Sequence, residues 1–502
     1  MSRKLLLLTN VDRGQANVFL AVASALLETE TEIEIHFASF AGLESEVYSL
    51  WQNASSPDAM AKPIHFHRLG GLTMEEGLKQ YFGTTSIPCR ENYLPESYLA
   101  PLGFRTTLQA IRDTMAIAVP YTGHEMQVLF SSIVNIITSV SPDLILVDSL
   151  MTAGLTACYH LGAKFFCLSP NSIKEFSGPS QPRASSLWKT PALFSGFKYP
   201  VPWYLIPLNV FFSLYTAFTF KTDAHIRDVY AHMLTYAEAT LRTPVDLLLN
   251  RPDSARILVG TLPELDFPAV IPPHIIPCGP ILMRARPVED DDMELAKWLA
   301  KGPTIYINLG SICQVSEDQA CELASAIRTV LRTVPSAPTS PPLQVLWKLR
   351  KQGIYDVHEP GCKIFDILGD EFKLGLVRIC GWLKPQPIAI LNTGHVICNI
   401  HHGGANSYYE AVSAGVPQVV LPQWTDCYDY AQRVELLGIG RLGSRSSKPL
   451  WNAQELVREI LHVLVGVEAA NTRHRAMELA ALCQRKGNGA GKVAKYITQE
   501  IQ

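Results

Sequence analysis

The stretch VICNIHHGGANSYYEAVSAGVPQVVLPQWTD, residues 396–426, decides the fold of the C-terminal half of the chain. Its first five residues are mostly apolar, as in a buried strand, and two glycines then lead into a helical segment at Ser407. A second apolar run follows at residues 418–421. A strand joined through a helix to another strand is the repeating unit of a parallel sheet. The stretch therefore predicts a doubly wound α/β domain.

The same alternation extends outward in both directions. Strand patterns lie at residues 4–9, 31–37, 144–147, 164–168, 304–309, 344–348 and 376–380, and helix patterns at residues 17–27, 152–161, 317–331, 428–437 and 454–465. Two doubly wound domains with a cleft between them account for this order, and such sheets bind ligands at the carboxyl ends of their strands. The apolar run Leu5 to Leu8 is too short for a signal peptide, which favours a buried strand.

Composition supports two large globular domains. The chain has 502 residues, of which 47% are hydrophobic and 18% charged, and this composition excludes a disordered protein. A formal net charge of -3 offers no basic footprint for nucleic acid. The eleven cysteines include no C-x-x-C pair, which favours reduced thiols and a cytoplasmic location.

The glycine loop of residues 403 and 404 has the chemistry of a diphosphate site. Glycines allow backbone N–H groups to approach a ligand closely, and the N-terminus of the following helix favours an anion. His402 adds a side-chain donor and Ser407 a hydroxyl. Trp382 offers a flat face for a base, and Glu410 lies one helical turn inside the helix, where it can accept hydrogen bonds from a ribose.

Together these motifs resemble the donor-binding signature of glycosyltransferases that transfer sugars from UDP-sugars to small molecules, in a fungal-type variant. The matching segments are GWLKPQ at 381–386, HHGGANS at 401–407, PQWTD at 422–426 and YDYA at 428–431, with NLGS at 308–311. The resemblance implies the GT-B fold, two Rossmann-like domains around a cleft. It also implies a donor site formed by Gly310, Ser311, Trp382, Gln386, His402, Gly404, Asn406, Ser407, Glu410, Asp426 and Cys427.

Within that donor site the resemblance assigns separate roles. Trp382 and Gln386 would bind the uridine, and Glu410 the ribose. The phosphates would lie against the loop and helix start, on His402, Gly404, Asn406, Ser407, Gly310 and Ser311. Asp426 and its neighbour Cys427 would face the sugar, although Cys427 stands where many glucose-using members have Gln.

The residues at the catalytic positions depart from the family's pattern. Gln15 occupies the position of the usual catalytic histidine, and an amide cannot act as a general base. Residues 142–148 match the strand that ends in the family's supporting aspartate, here Asp148. Asp148 is expected to take the acceptor proton itself or to orient another group, while Gln15 hydrogen-bonds the acceptor. If Asp148 only caps a helix, Asp12 is the next candidate base.

Residues 199–220 form a run without a charged side chain. Its length could just span a bilayer, but three prolines and several polar residues favour the wall or lid of an apolar pocket. The second interpretation is peripheral contact with a membrane surface by an otherwise cytoplasmic protein.

No metal or cofactor is expected beyond the UDP-sugar co-substrate. The acidic run 289–292 contains a D-x-D spacing but reads as solvated charge at a helix start, and His65 and His67 have no third ligand nearby in the sequence. The predicted domains are residues 1–282 for the acceptor, 283–485 for the nucleotide-sugar, and a helical tail, 486–502, that packs back on the first domain.

The sequence therefore predicts an inverting, metal-independent transfer of a sugar, glucose by expectation, to a hydroxyl or carboxyl of a lipophilic small molecule. A terpenoid, sterol or polyketide of secondary metabolism would suit the apolar N-terminal half. The alternatives are a nucleotide-sugar epimerase of the same fold and a sugar-nucleotide-binding protein without catalysis, the latter suggested by Gln15.

Overall fold

The computed structural model describes residues 3–29, 33–54, 63–83, 94–334 and 341–501. These residues contain thirteen strands, all of which pair in parallel. The strands are β1 (Lys4–Leu8), β2 (Glu34–Ser39), β3 (His65–Arg68), β4 (Leu144–Asp148), β5 (Phe165–Ser169), β6 (Ile257–Val259), β7 (Ile275–Pro277), β8 (Thr304–Asn308), β9 (Gln344–Lys348), β10 (Val377–Cys380), β11 (Val396–His401), β12 (Gln418–Val420) and β13 (Gly440–Leu442).

The helices alternate with the strands and cover both faces of the sheets. They are α1 (Arg13–Leu27), α2 (Glu44–Ala54), α3 (Met74–Gly83), α4 (Glu96–Leu99), α5 (Phe104–Asp113), α6 (Met115–Ala118), α7 (Gly123–Val140), α8 (Thr152–His160), α9 (Ile173–Ser177), α10 (Ser185–Trp188), α11 (Ile206–Thr222), α12 (Ala224–Tyr236), α13 (Asp246–Leu249), α14 (Val288–Asp291), α15 (Met293–Leu299), α16 (Glu317–Thr333), α17 (Lys363–Lys373), α18 (Pro387–Leu391), α19 (Ala405–Ala414), α20 (Cys427–Leu436), α21 (Ala453–Leu464), α22 (Gly466–Lys486) and α23 (Gly489–Ile501).

The first sheet has the strand order β3-β2-β1-β4-β5-β6-β7. Leu5 to Leu8 of β1 have no exposed surface, since β1 lies between two strands and under helices on both faces. The expectation of a buried strand here is confirmed. The strand order reverses direction between β1 and β4, and this switch point opens a crevice at their carboxyl ends. Asn10 and Asp12 follow β1 at that crevice, and Asp148 ends β4.

The second sheet has the order β10-β9-β8-β11-β12-β13, the strand order of a Rossmann domain. Its switch point lies between β8 and β11, whose registers pair Asn308 with His401. Gly310 follows the first of these strands and His402 the second. Two doubly wound parallel sheets confirm the predicted fold class.

Several predicted element limits were wrong by a few residues. The strand predicted at residues 31–37 is observed at Glu34–Ser39, and residues 31 and 32 lie outside the described part of the chain. Helix α1 begins at Arg13, not at residue 17, and α19 begins at Ala405, not at Ser407. The acidic run 289–292 lies at a helix start as expected, because its first three residues belong to α14 and Asp292 caps α15 by accepting from the Leu295 amide at 2.9 Å.

The C-terminal helix α23 lies against the first domain. Ala490, Val493, Ala494, Ile497 and Ile501 are buried in the same hydrophobic cluster as Leu5 and Phe19. The chain returns to the first domain at Gly489, where its backbone passes close to that of Gly279: a Cβ on Gly489 would lie 2.4 Å from the Gly279 carbonyl oxygen. The limits proposed for the three segments remain predictions; the last strand of the first sheet ends at Pro277 and the first of the second begins at Thr304.

Candidate active site between the two sheets

The loop from β11 to α19 has the backbone of an anion site. Gly403 has φ +87° and passes so close to the Cys427 carbonyl oxygen that a Cβ would lie 2.7 Å from it. Gly404 is the N-cap of α19, whose first turn contains no acidic residue and whose N-terminus no side chain caps. A helix start left open in this way presents N–H groups to a negatively charged ligand.

His402 lies between two glycines from different loops. A Cβ on Gly310 would lie 2.6 Å from the His402 Cε1 atom, and one on Gly404 would lie 2.4 Å from its Nε2 atom. Both glycines are therefore required to seat the imidazole. Burial, together with His401 and Lys348, lowers the pKa of His402 to about 3, so the ring is neutral at physiological pH. Its Nδ1 atom is buried and has no hydrogen-bond partner among the described residues.

Lys348 is a candidate site residue that the sequence interpretation did not name. It ends β9, its Nζ atom donates to the Gly310 carbonyl oxygen at 3.1 Å, and it lies 4.1 Å from the centroid of the Trp382 ring. Burial lowers its pKa to about 8, which leaves it cationic at neutral pH. A cation over an indole is stabilised by the ring quadrupole. The signal available in the sequence was a lysine at the carboxyl end of a buried strand, VLWK, beside the Gly310 loop.

Trp382 and Gln386 are both exposed at the edge of the site. Trp382 has 63% of its surface exposed, which leaves an aromatic face open beside Lys348. A cavity of about 410 Å³ adjoins it, lined by residues at and after the carboxyl ends of β9 and β10, among them Arg350, Cys380 and Gly381. Gln386 is the N-cap of α18 but does not cap it with its side chain.

Glu410 and Asp426 are carboxyls in electrostatically unusual positions. Burial raises the pKa of Glu410 to about 8, with Lys348 opposing the shift, so the protonated acid dominates at pH 7. Burial also raises the pKa of Asp426, whose Oδ1 atom accepts from the Thr425 hydroxyl at 2.9 Å. Thr425 has φ +30°, a strained value for a β-branched residue, and this places Asp426 at the start of α20.

The remaining predicted donor residues differ in access. Ser311, Asn406 and Ser407 are partly exposed, as a ligand contact requires. Cys427 is fully buried, and burial raises the pKa of its thiol well above the usual range. Its backbone carbonyl faces Gly403, so Cys427 packs under the loop that joins β11 to α19, and a contact with the sugar stays a prediction.

Asp148 is fully buried at the end of β4, and protein groups occupy both of its oxygens. Oδ1 accepts from the Leu150 amide at 2.9 Å. Oδ2 accepts from the Asn10 side chain at 3.2 Å and the Thr9 hydroxyl at 3.3 Å. Burial raises the pKa of Asp148 to about 6, although these hydrogen bonds oppose the shift. Gln15 is 8% exposed, and its buried Oε1 atom has no hydrogen-bond partner in the part of the chain that the structure describes.

A direct contact joins the two halves of the site. The Asn406 side-chain amide, on the first turn of α19, donates to the Arg13 carbonyl oxygen at 3.3 Å, on the first turn of α1. The predicted phosphate helix and the predicted acceptor helix therefore begin next to each other. Residues that the sequence could place only on separate domains are brought together at this contact.

An ion network behind α20 also joins the domains, and the sequence interpretation missed it. Arg433 of α20 has no exposed side-chain surface and donates to Asp266 Oδ1 at 2.8 Å. It also donates to the Ser172 hydroxyl. The guanidinium stacks on the Phe267 ring at 4.5 Å. One turn earlier on α20, Asp429 pairs with Lys174. The network fixes the helix that begins beside Asp426.

The three stacked histidines of the first sheet lie away from this site. The ring of His36 on β2 stacks on the rings of His65 and His67 on β3, and its Nδ1 atom is 2.9 Å from His67 Nε2. The fold thus brings a third histidine beside the two that are close together in the sequence. Within the described ranges, no group of three or more His, Cys, Asp or Glu side chains is arranged to hold a metal ion.

Comparison with known proteins defines the class. Solved structures align over the whole chain: the glycotransferase of kitacinnamycin, with a TM-score of 0.61 and 15% identity over 100% of both chains, and Os79 from O. sativa in complex with U2F and trichothecene, with a TM-score of 0.60 and 15% identity over 100% of both chains. At this identity the likeness concerns the fold, which is that of the GT-B glycosyltransferases.

Sequence comparison gives the family. Residues 375–481 match the family "Erythromycin biosynthesis protein CIII-like, C-terminal domain". The glycosyltransferase sdnJ of Sordaria araneosa is 31% identical over 98% of this chain and 97% of its own length. UDP-glycosyltransferase 84A2 of Arabidopsis thaliana is 25% identical over 48% of each chain. The chain belongs to the UDP-glycosyltransferase family. It is a glycosyltransferase enzyme of the kind that acts in secondary metabolism, and this decides against the epimerase and the non-catalytic alternatives.

Proposed function

We propose that the enzyme transfers glucose from UDP-glucose to a hydroxyl or carboxyl group of a lipophilic small molecule, with inversion at the anomeric carbon. The observation that carries the proposal is the contact between Asn406 of α19 and Arg13 of α1, because it brings the open helix start of the donor half to the acceptor half. A sugar phosphate held on α19 would then present its anomeric carbon to the crevice of the first sheet. Attack from the side opposite the diphosphate inverts the configuration.

The donor half would act by binding the negatively charged diphosphate of the UDP-sugar. The start of α19 and the neutral His402 would donate hydrogen bonds to the diphosphate, while cationic Lys348 lies beside Trp382, where the uridine would stack. Fixed donors of this kind stabilise the charge that develops on a leaving group. Gly310, Ser311, Gly404, Asn406 and Ser407 would contact the phosphates, Gln386 the uridine, Glu410 the ribose, and Asp426 with Cys427 the sugar. The enzyme would thus need no metal and no cofactor besides the UDP-sugar.

The acceptor half suits an apolar molecule. A buried cluster at the domain boundary combines side chains of both domains: Leu94, Tyr98, Ala110, Ile111, Phe194, Phe212 and Tyr428. Phe212 belongs to α11, so the uncharged segment contributes its inner face to this cluster, as a pocket wall would. A terpenoid, sterol or polyketide matches such surroundings. Gln15 would hydrogen-bond the acceptor, and Asp148, whose oxygens hold Asn10 and the Leu150 amide, would act in catalysis by orienting the loop after β1.

Incubation with UDP-glucose and a panel of lipophilic alcohols and acids, followed by mass spectrometry, tests the function. We expect a product heavier than an acceptor by one hexose, formed equally well in EDTA, and NMR should show the β-linkage that inversion of the α-configured donor produces. UDP-galactose and UDP-glucuronic acid are the comparison donors that test the preference for glucose. Activity lost in EDTA and restored by Mg²⁺ would contradict the metal-independent mechanism, and an α-linked product would contradict inversion.

We also propose that the protein is cytoplasmic and touches a membrane peripherally through residues 199–220. The ten cysteines in the described part of the chain are free thiols, as in a reducing compartment. The run Trp203–Tyr236 is long and apolar enough to cross a bilayer, but it breaks at Asp223, and α11 alone is about 25 Å long. Trp203 is 82% exposed and Phe218 64%. Large exposed aromatic side chains are typical of helices that lie in the membrane interface.

The charges around the run favour an anionic surface. No Asp or Glu occurs at residues 176–222, whereas Arg183, Lys189, Lys198 and Lys221 do. We expect the protein to sediment with phosphatidylcholine vesicles that contain phosphatidylserine, and the double variant Trp203→Ala, Phe218→Ser to lose at least several-fold in binding. Ile354→Ser is the matched control, because Ile354 is fully exposed on the other domain. Equal sedimentation of the double variant and the wild type would contradict this contact.

A further inference from the structure

Three buried acceptor oxygens without donors lie along six residues that follow β1. They are Asn10 Oδ1, Asp12 Oδ2 and Gln15 Oε1, and none has a hydrogen-bond partner among the described residues. Buried polar atoms are paired in nearly all folded proteins, so a group of orphaned acceptors marks a place where a ligand donates. A hydroxyl group is such a donor. Of the three residues, only Asp12 can accept a proton near neutral pH.

Asp12 holds the N-cap position of α1 but does not cap the helix. Aspartate at an N-cap usually accepts from the amide of the second or third helical residue, which stabilises the helix. Here no such hydrogen bond forms, although the backbone, with φ -62° and ψ 127°, is extended as it is at most N-cap positions. The side chain thus forgoes a stabilising contact that the backbone offers, as functional groups often do.

Asp12 also lies at the contact between the two halves of the site. The next residue, Arg13, accepts the hydrogen bond from Asn406 of the donor helix through its backbone oxygen, while its guanidinium turns outward and donates to Glu46 at 2.6 Å. The Asp12 carboxylate is therefore not neutralised by the neighbouring arginine. Asp148 cannot serve equally well, since its oxygens already accept from Thr9, Asn10 and Leu150.

We propose that Asp12 is the catalytic base that replaces the missing histidine, with Asp148 and Gln15 as positioning residues. The assignment rests on the transfer function proposed above. Asp12 Oδ2 takes the proton of the acceptor hydroxyl as the hydroxyl oxygen forms a bond to the anomeric carbon. The bond from that carbon to the diphosphate oxygen breaks, and UDP leaves with the electron pair. Asp12 then releases its proton to water once the glycoside has left.

The electrostatic surroundings suit this role. Burial, with the negative charges of Glu75 on α3 and Asp148, raises the pKa of Asp12 to about 6. Tyr121 also faces it, and its own pKa is raised, so the phenol stays neutral. A carboxylate with a pKa near 6 is ionised at pH 7 and is a stronger base than an exposed aspartate. Because the protonated form is inactive as a base, activity falls as the pH drops through about 6.

The test compares one variant with two acceptors. We expect Asp12→Asn to lower kcat/KM for an alcohol acceptor by about two to four orders of magnitude, the usual contribution of a general base. A carboxylate acceptor is already ionised at neutral pH and should be transferred at a rate within a few-fold of wild type. Asn is a good N-cap residue, so the variant should fold, and UDP binding by calorimetry, unchanged from wild type, verifies this. Asp12→Glu should recover part of the alcohol activity.

Glu75→Gln provides an independent readout. It removes a neighbouring negative charge, so the pKa of Asp12 falls and the acid limb of the alcohol profile moves to lower pH, whereas a structural role for Asp12 would leave the limb in place. If Asp12→Asn retains wild-type kcat/KM on the alcohol while wild type turns over, the base assignment fails and the transfer function stands. A wild-type enzyme that forms neither glycoside overturns both.

Discussion

In the His402→Ala variant, kcat/KM for the UDP-sugar is expected to fall by a factor of about 100 to 1,000, the usual effect of losing one fixed donor at a site of developing charge. His402 is seated between Gly310 and Gly404, and its low pKa keeps the ring neutral. The hydrogen-bond donor on His402 is therefore uncharged, and the hydrogen bond that it gives to the phosphate should be equally strong at pH 5 and pH 8. Steady-state kinetics with varied UDP-sugar at these two pH values measures the loss.

A further variant and a control show whether the N–H group of His402 or only the volume of its ring matters. His402→Gln keeps an N–H group and should recover part of the activity, which His402→Ala cannot. His462→Ala, in the last turn of α21 of the same domain, is the matched control and should behave as wild type. Near-wild-type kcat/KM for His402→Ala would refute the phosphate role of the loop.

The local backbone of the candidate donor site could be predicted from the sequence because its residues are close together along the chain, and their contacts with the UDP-sugar stay predictions. The loop after β11 and the first turn of α19 contain His402, Gly404, Asn406 and Ser407 within six positions, so the sequence motif predicts both the local backbone and the polar groups that it presents. Lys348 was missed since it comes from another strand, and only the sheet order brings β9 next to β8 and the Gly310 loop. The close fit of Gly310 around His402 is likewise a contact between strands.

The acceptor end was harder to predict for a different reason. The sequence showed that Gln15 could not be a base, but the choice between Asp148 and Asp12 depends on which oxygens are already paired. That information is in the hydrogen bonds of the folded protein: Asp148 accepts hydrogen bonds at both oxygens, whereas Asp12 Oδ2 accepts none from the described residues. The short strands β6, β7 and β13 also escaped prediction, because three residues show no periodicity and, unlike β12, none of them completes the strand–helix–strand stretch at residues 396–426.

Replacing Arg433 with methionine is expected to lower the free energy of unfolding by about 3–5 kcal/mol, measured by urea titration. The substitution leaves Asp266, with 1% of its side chain exposed, as an unpaired buried charge, and it also removes the cation from the Phe267 and Tyr430 rings. Arg433→Lys should recover little, since an ammonium cannot reproduce the planar stacking. Arg458→Met is the matched control, because Arg458 is 66% exposed and its ion pair with Glu459 should contribute less than about 1 kcal/mol.

A double variant separates the charge from the packing. Adding Asp266→Asn to Arg433→Met removes the unpaired carboxylate. The double variant should therefore lose less free energy of unfolding than the two single variants lose in sum, and the difference is an interaction energy of about 1–3 kcal/mol. The network also holds α20, which begins beside Asp426, against Ser172 of the first domain. Loss of that link should let water reach the donor sugar, so the ratio of UDP-glucose hydrolysis to transfer should rise in Arg433→Met. Additive destabilisation with an unchanged ratio would mean that Arg433 neither couples to Asp266 nor aligns the two halves of the site.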